Sequence, residues 1–257
     1  MDNTEMKKTT DKEKLDGMFS VGAHFGYQRG RRHPSVRPYL FGSKNRVDII
    51  DLEKSSALLD KAKAFVKKLG ATGKVILFVG TKPESRFIVK KTAQSIDMPY
   101  VSERWIGGAL TNFPEIKKRI EKYHDLAEKK EKGALDVYTK KEKSLIERDM
   151  ANLNKNFGGL LAMKNIPTAM FVVDSRNEIT ALNEAIKMNI PTISLSNSDC
   201  DVSKIDYPII GNDSSILSIS FFTEEIARAY EEGRTEAKTE VKEEVKTEAK
   251  EEEQKTS

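Results

Sequence analysis

The sequence lacks paired cysteines, long apolar runs and, over one stretch, acidic residues. Its single cysteine, Cys200, excludes an internal disulfide framework and any zinc site built from several cysteines. No stretch approaches the ~20 apolar residues that a membrane-spanning helix requires. The polar first residues lack the apolar core of a secretory signal. These absences indicate a cytoplasmic protein in which Cys200 is a small buried side chain rather than a nucleophile.

Acidic residues are absent from residues 17–47, although Asp and Glu together number 40 in the 257-residue chain. Within this stretch, Gln28 to Arg46 carries five arginines and one lysine. Five glycines and two prolines between residues 17 and 46 exclude a long helix and predict an ordered loop or short strands. Guanidinium groups form bidentate bonds to phosphate and stack on bases, so this basic arm suits a polyanion such as RNA. A solvated basic loop explains the composition equally well. The candidate RNA-binding residues are Arg29, Arg31, Arg32, Arg37, Lys44 and Arg46 for phosphate, with Tyr27 and Tyr39 as stacking partners.

The net charge of +4 hides an uneven distribution along the chain. From Glu231 to Ser257 there are ten Glu against one Arg and five Lys, a net charge of −4. The remaining residues carry 38 basic and 30 acidic groups, a net charge of +8. A cationic body with an acidic tail favours a polyanionic partner.

Strand and helix patterns alternate through most of the chain. A continuous apolar run, typical of a strand buried on both faces, occurs in "KVILFVG". "PTAMFVVD" is a second buried strand, and "IPTISLS" is a third strand. Helical patterns follow these runs, as in "PESRFIVKKTAQS" and "RNEITALNEAIKMN", and another helix, "SSALLDKAKAFVKKLG", has a serine as its predicted N-cap. This alternation predicts an α/β fold with a parallel sheet covered by helices.

A segment rich in Lys and Glu, residues 114–156, interrupts the alternation. Apolar residues recur at helical spacing on either side of Gly133. The pattern predicts an inserted antiparallel hairpin of two long helices, with most of its charges simply solvated.

The two ends of the chain are low in apolar residues. Residues 1–16 are predicted to form a flexible polar leader. Residues 231–257 are predicted to form a disordered acidic Glu/Lys-rich tail, or a frayed helix supported by spaced Glu–Lys pairs. The remaining ranges, 17–113 and 157–230, are assigned to the α/β domain that carries the basic arm.

Reactive motifs are missing from the strand ends. Parallel sheets bind ligands beyond the carboxyl ends of their strands, where Gly80–Lys82, Asp174–Ser175 and Ser196–Asp201 are the candidates. There is no GxGxxG and no GxxxxGK[ST] motif. The three histidines are scattered, and His24 and His33, in the basic loop, are expected to have no nearby carboxylate. We therefore predict no catalytic residue, metal or cofactor. The alternative is a nucleotide- or sugar-phosphate-binding α/β enzyme, and a third possibility is a free adaptor that acts through the hairpin.

A second candidate contact lies in "ERWIGGALTNF", residues 103–113. It contains the chain's single tryptophan, Trp105, next to Arg104 and a Gly–Gly step. A core position for Trp105 in a helix-docking turn is compatible with an RNA contact nearby. We include both residues as second-tier RNA-binding candidates.

Several strings together resemble the bacterial small-subunit ribosomal protein S2 family, over about residues 17–230 and in the family's order. The most distinctive are "GAHFG" and "ERWIGGALTNF". The others are "PYLFGSKNRVDIIDLEKS", "DVYTKKE", "NFGGLLAMKNIPTAMFVVD", "EAIKMNIPTISL" and "DYPIIGND".

The resemblance implies a doubly wound, flavodoxin- or Rossmann-like parallel sheet with an inserted coiled-coil hairpin. It implies a non-enzymatic structural constituent of the small ribosomal subunit, working in translation within a ribonucleoprotein. Such a protein binds small-subunit ribosomal RNA near the head–body junction. It also implies neighbouring ribosomal proteins as partners, ribosomal protein S1 among them in many bacteria, and no membrane or small-molecule substrate.

The chain departs from the family's pattern at several positions. The family usually has His where Tyr27 stands, and a Trp–Asn–Pro–Lys run where this chain has residues 32–35, Arg-His-Pro-Ser. It often has a Lys–Asp pair at Leu161–Ala162 and an Arg at Leu217. The cationic character of the arm survives these changes, whereas the last two make their sites less polar.

Overall fold

The computed structural model describes the backbone of residues 3–134 and 138–255. Its strands, in chain order, are β1 (Phe25–Gln28), β2 (Leu40–Lys44), β3 (Val47–Ile50), β4 (Ile76–Val79), β5 (Tyr100–Val101), β6 (Ala169–Val173), β7 (Thr192–Ser196) and β8 (Tyr207–Ile210). Its helices are α1 (Asn3–Ser20), α2 (Leu52–Ala71), α3 (Pro83–Ser95), α4 (Phe113–Glu131), α5 (Lys140–Phe157), α6 (Ile179–Lys187) and α7 (Ile216–Lys255). Short 3-10 helices lie at Arg29–Arg31, Pro34–Tyr39 and Gly158–Leu160.

The central sheet has five parallel strands in the order β5-β4-β6-β7-β8. Its strands are buried on both faces, because successive side chains of a strand point to opposite sides. Ile76 and Phe78 pack in one core with residues of α2, α3 and α7, whereas Leu77 and Val79 pack in a second core with residues of α4 and α6. Helices therefore cover both faces, and the predicted α/β architecture is confirmed.

Helix α2 begins one residue after Asp51, whose side chain accepts hydrogen bonds from the backbone N–H groups of Glu53 and Lys54. The predicted serine cap is wrong, because Asp51 already supplies the capping carboxylate. At the other end, α2 meets α7 at a crossing of two glycines. A Cβ atom at Gly70 would lie 2.2 Å from the Tyr230 carbonyl oxygen, and one at Gly233 would lie 2.0 Å from that of Lys67. Only glycine permits this approach of the two backbones.

Two helices, α4 and α5, occupy the segment that the sequence assigns to a hairpin. Thr139 and Glu142 form a capping box at the start of α5. Lys130 and Glu147 join the two helices through an ion pair of 3.3 Å. The part of the connection at residues 135–137 lies outside the described residues. Coiled-coil packing of this pair remains a prediction.

The ends of the chain are helical as far as the structure describes them. Helix α1 covers Asn3–Ser20, a segment that the sequence assigns mostly to a polar leader. Helix α7 extends to Lys255 through the acidic tail, which corresponds to the helical alternative for that segment. The division into four segments stays a prediction, since helical backbone alone does not define a domain. None of the described helices is long and apolar enough to cross a bilayer.

A second, smaller sheet forms the basic arm, which we define as residues 25–50. Its three antiparallel strands have the order β1-β3-β2. The prediction that residues 17–46 take no part in a long helix is wrong at its start, because α1 extends to Ser20. From Phe25 onward, short strands and 3-10 helices form as predicted. The arm lies against the carboxyl edge of the central sheet, where the backbone N–H of His33 donates to the Ser198 carbonyl at 2.8 Å.

Candidate nucleic-acid interface

Three exposed cations converge where strand β2 turns into β3. Asn45 and Arg46 form the two-residue turn, with φ angles of 52° and 66°, and Lys44 pairs with Val47 across it. The backbone N–H of Arg29 donates to the Arg46 carbonyl at 2.8 Å. We call Arg29, Lys44 and Arg46 the cationic tip.

The cationic tip is not neutralised from within the chain. The side chains of its three residues are exposed, as is that of Arg37 in the neighbouring 3-10 helix. Among the residues that the structure describes, none of these four side chains forms an ion pair. Their donors therefore remain available for a polyanion, since guanidinium and ammonium groups favour phosphate oxygens.

Arg31 and Arg32 differ from the cationic tip because both have internal partners. Arg32 forms a bidentate hydrogen bond with the buried carboxylate of Asp48: its Nε donates to Oδ2 at 2.7 Å, and its Nη2 donates to Oδ1. This bonding raises the pKa of Arg32. Arg31 donates to Asp199 at 3.3 Å, yet about half of its side chain is exposed. Arg32 therefore anchors the arm, and sequence reasoning missed this role because Asp48 lies just beyond the acid-free stretch.

The two tyrosines predicted to stack on bases already make contacts within the protein. The ring of Tyr27 carries the Arg31 guanidinium 4.6 Å from its centroid, and its hydroxyl lies 2.7 Å from the Ser214 Oγ. Tyr39 packs against a buried cluster that includes Val36. Phe41 is the more exposed of the arm's two exposed phenylalanines, at 83% against 49% for Phe25.

Trp105 is buried in the second core, whereas Arg104 is exposed. The indole N–H of Trp105 donates to Oε1 of Glu184 at 3.0 Å. Glu184 also accepts hydrogen bonds from the backbone N–H groups of Gly108, Leu110 and Thr111 and from the Thr111 hydroxyl.

Burial alone would raise the pKa of Glu184, but these hydrogen bonds outweigh burial and hold the pKa below its ordinary value. The string "WIGGALT" thus folds around one carboxylate. This explains the second glycine of its Gly–Gly step, since the Gly108 φ of 90° belongs to the left-handed region that favours glycine. Sequence reasoning missed the role of Glu184, because a glutamate within a predicted helix gives no sign that its partners lie more than 70 residues away in the chain.

The predicted strand-end groups do meet at the carboxyl edge, where the strand order reverses between β4 and β6. The Lys82 Nζ lies 2.8 Å from Oδ2 of Asp174 and 3.0 Å from Oδ2 of Asp213. It also donates to the Tyr27 hydroxyl at 3.1 Å. The crevice that holds ligands in doubly wound enzymes is therefore filled by the chain's own side chains.

Lys82, Asp174 and Asp213 shift one another's pKa values in this buried cluster. Burial alone would lower the pKa of Lys82, but the carboxylates of Asp213 and Asp174 outweigh burial and raise it. Burial and the Asp174 charge raise the pKa of Asp213. Burial also acts to raise the pKa of Asp174, but its bond to Lys82 outweighs burial and lowers it. Lys82 thus stays charged and is held by both carboxylates.

Cys200 and the histidines show no reactive arrangement. Cys200 is fully buried, as predicted, and burial raises the pKa of its thiol to about 12. His24 stacks on Phe19 with ring centroids 4.5 Å apart, and burial lowers its pKa. The expectation that no carboxylate lies near the arm's histidines is wrong for His33, whose Nδ1 lies 3.8 Å from Oδ1 of Asp201. Within residues 3–134 and 138–255, no His, Cys, Asp and Glu side chains cluster as metal ligands.

The positions that depart from the family pattern fall into two groups. Those in the arm have acquired internal partners: Arg32 bonds to Asp48, and the Ser35 hydroxyl lies 2.7 Å from the His33 ring nitrogen. Those elsewhere are apolar. Leu161 packs against the second core, and Leu217 is exposed at the start of α7.

Comparisons with known proteins agree on one family. A sequence model described as ribosomal protein S2 matches residues 18–233. The small ribosomal subunit protein uS2 of Endomicrobium trichonymphae is 40% identical over 221 residues, which cover 86% of this chain and 91% of that protein. The protein of the same name from Helicobacter hepaticus is 39% identical, covering 86% of this chain and 84% of its own length. The one from Nocardia farcinica is 40% identical, with 89% and 79% covered.

Proposed function

The chain belongs to the ribosomal protein S2 family, and we propose on that premise that its basic arm binds small-subunit ribosomal RNA, near the junction of head and body. Membership makes the protein a structural constituent of the small ribosomal subunit, in the cytoplasm, and not an enzyme. The RNA contact is the finer step, and the arm's charges and geometry support it.

The cationic tip is the observation that carries the proposal. Arg29 begins the 3-10 helix that follows β1, Lys44 ends β2, and Arg46 lies in the turn between β2 and β3. The β2–β3 ladder and the hydrogen bond from the Arg29 N–H to the Arg46 carbonyl hold them together. None of the three has an ion-pair partner among the described residues. Folding thus concentrates unneutralised charge at one place, which is what binding to a phosphate backbone requires.

The kind of recognition follows from the residues available. The tip consists of cations, which contact phosphate and carry no base code of their own. Phe41 adds an open aromatic face in the same sheet, and an unpaired base can stack on such a face. The arm is therefore suited to the shape and backbone of folded RNA rather than to a sequence.

Removing the cationic tip tests the proposal. The variant carries Arg29→Ala, Lys44→Ala and Arg46→Asn, since asparagine tolerates the left-handed turn. If each cation neutralises one phosphate, the slope of log affinity against log salt for ribosomal RNA falls by about 0.9 per residue. Filter binding to transcribed small-subunit RNA measures the slope, and sucrose-gradient sedimentation measures incorporation into subunits.

A matched control removes three charges at the amino edge of the sheet, away from the arm: Lys74→Ala, Lys187→Ala and Arg228→Ala. All three side chains are exposed. The control is expected to retain most of the salt slope. An equal decrease of the salt slope in both variants would mean that the tip contributes only its net charge and not a specific contact. An unchanged slope in both would reject the arm as the RNA-binding element.

A second part of the proposal concerns neighbouring ribosomal proteins, with ribosomal protein S1 as the candidate partner. The supporting observation is an aromatic stack beside the arm. Phe19 and Phe25 flank His24 with ring centroids 4.5 and 4.0 Å from it, and both phenyl rings are about half exposed or more. Exposed aromatic clusters favour protein contacts. Phe19→Ala is expected to weaken binding of purified S1 at least fivefold, measured by calorimetry, and unchanged affinity would exclude the stack.

At the switch point of the sheet, the described residues leave no open site for the alternative function, a small-molecule enzyme. Two of its candidate groups, Gly80–Lys82 and Asp174–Ser175, lie at this point, but Lys82 is held there by Asp174 and Asp213. The family is structural and non-enzymatic. We retain the α/β body as a scaffold on which the arm is mounted.

A further inference from the structure

A cleft of about 390 Å³ lies where the basic arm meets the carboxyl edge of the central sheet. The arm contributes Arg31 and His33 to its wall, and the body contributes Arg176 after β6 and Lys204 after β7. The sequence drew attention to Arg31 and His33 but to neither Arg176 nor Lys204. Arg176 and Lys204 come from different loops, so their approach to the arm is visible only in the fold.

Two guanidinium groups in this cleft share one carboxylate oxygen. Arg31 Nη2 lies 3.3 Å and Arg176 Nη1 lies 2.8 Å from the same Oδ2 of Asp199. The Asp199 side chain is 4% exposed, whereas each arginine side chain is 54% exposed. The carboxylate thus holds two like charges together from behind, while most of their N–H donors stay open towards solvent.

Both arginines are fixed by further contacts. The guanidinium of Arg31 lies over the ring of Tyr27, 4.6 Å from its centroid. The backbone N–H of Arg176 donates to Oδ1 of Asp174 at 3.0 Å. A pair of guanidinium groups fixed before a ligand arrives loses little conformational entropy on binding.

The charge around the cleft favours an anion. Arg31, Arg176 and Lys204 supply three permanent positive charges against the carboxylates of Asp199 and Asp201. The arginines and the lysine are exposed, whereas Asp199 is buried behind them. The Asp201 side chain is 34% exposed, so an approaching anion meets three cations and one carboxylate.

We propose that this cleft binds a phosphate group of the RNA backbone, held between Arg31 and Arg176 with Lys204 at the rim. Two guanidinium groups on one phosphate give charge-assisted, bidentate hydrogen bonds. The proposal rests on the proposed function and extends it, because it assigns RNA contact to residues of the α/β body. The footprint then runs from the cationic tip to the carboxyl edge of the sheet.

The test uses the full-length protein with single substitutions Arg176→Ala and Lys204→Ala. Each is expected to lower the salt slope for transcribed small-subunit RNA by up to about 0.9, the value for the whole phosphate contact that these residues share. Lys187→Ala, which removes an equal charge at the opposite edge of the sheet, is expected to keep the wild-type slope. Lys204 has no part in the Asp199 contact, so its variant reports on the cleft even if Arg176→Ala disturbs the fold.

Arg29→Ala in the cationic tip separates the two proposals. If it lowers the slope while Arg176→Ala and Lys204→Ala do not, the cleft is not a phosphate site and the arm's function stands. If none of the three lowers the slope, the proposed function fails as well.

Titration with inorganic phosphate and with adenosine monophosphate distinguishes RNA from a free ligand. The RNA proposal expects no saturation by either compound below about millimolar concentration, since a single phosphate contact gives little affinity. Micromolar, stoichiometric binding of either compound that Arg176→Ala abolishes would instead make the cleft a small-molecule site and overturn the assignment to RNA.

Discussion

Glu184 is the residue on which the loop "WIGGALT" depends. Its buried carboxylate accepts hydrogen bonds from five donors, one of them the indole of Trp105. Glu184→Gln replaces one acceptor oxygen by a donor that faces backbone N–H groups. We expect a loss of about 3 kcal/mol in the free energy of unfolding, measured by urea denaturation. Glu231→Gln, at an exposed site of α7, is the control and should change it by less than about 0.5 kcal/mol.

The stabilisation by Glu184 should depend on pH. Its pKa is lower in the folded than in the unfolded chain, so the ionised carboxylate stabilises the fold. That contribution is complete above the unfolded pKa of about 4.3 and disappears as pH falls through the folded value. The difference between wild type and Glu184→Gln should therefore be large at neutral pH and shrink below about pH 4. A constant difference would contradict the role of the charge.

Arg46 occupies a turn position that glycine normally takes, since its φ is 66°. Arg46→Gly should raise the free energy of unfolding by about 0.5 kcal/mol, because relief of left-handed strain exceeds the added entropy of the unfolded chain. The same change should weaken RNA binding. Asn45→Gly, with a φ of 52° at the preceding position, alters the same turn without loss of charge. If both variants bind RNA as wild type does, the Arg46 charge has no role.

At the residue scale, composition identified which segment carries exposed cationic residues, but it did not identify which of them form ion pairs within the chain. Arg29, Lys44 and Arg46 were predicted and are free of internal ion pairs among the described residues, whereas Arg32 came from the same reasoning and is bound to Asp48. Arg176 was not predicted at all. Ion pairs between loops distant in sequence depend on the fold, and a single sequence carries no periodic signal for them.

At the element scale, the basic arm is a small sheet fastened by one buried ion pair. Arg32→Met leaves the carboxylate of Asp48 buried without its partner, which should cost about 3 kcal/mol. Combining it with Asp48→Asn should recover part of that loss. Hydrogen exchange should show faster amides in β1, β2 and β3, with β4 and β6 unchanged. A uniform increase in both sheets would mean that the arm and the body open together.

The elements were predictable where their pattern was strong. β4 and β6 are apolar runs buried on both faces, and α3 begins at the proline that opens its predicted helix. β7 is also fully buried, although its residues alternate between polar and apolar. β5 has only two residues, and α1 has almost no apolar periodicity, so neither gave a signal. The start of α2 was misplaced because its serines competed with Asp51 for the same capping role.

At the scale of the whole molecule, charge is distributed unevenly. Removal of residues 238–257 takes away five Lys and seven Glu and changes the net charge from +4 to +6. We expect association with ribosomal RNA to become about twofold faster at low ionic strength, measured by stopped-flow fluorescence. The full-length variant Glu252→Gln, Glu253→Gln has the same net charge and should show the same gain. If only the truncation accelerates binding, the tail acts through its bulk rather than its charge.

The overall architecture followed from alternation alone, because parallel strands joined by helices leave few possible topologies. The antiparallel order of the small sheet did not follow. Its strands are four or five residues long, and their pairing depends on the Asn45–Arg46 turn and on Ser198 of the body. The interface was therefore only partly predictable, since it forms between the two sheets.

The burial of Cys200 gives the protein an internal reporter. Its thiol packs against Val36 and Ile50 of the arm, and with a pKa of about 12 it is almost wholly protonated in neutral solution. An alkylating reagent can modify it only after the arm has lifted from the body. The rate of alkylation would then report the rate at which the arm separates from the body, and binding of the protein to its RNA should lower that rate.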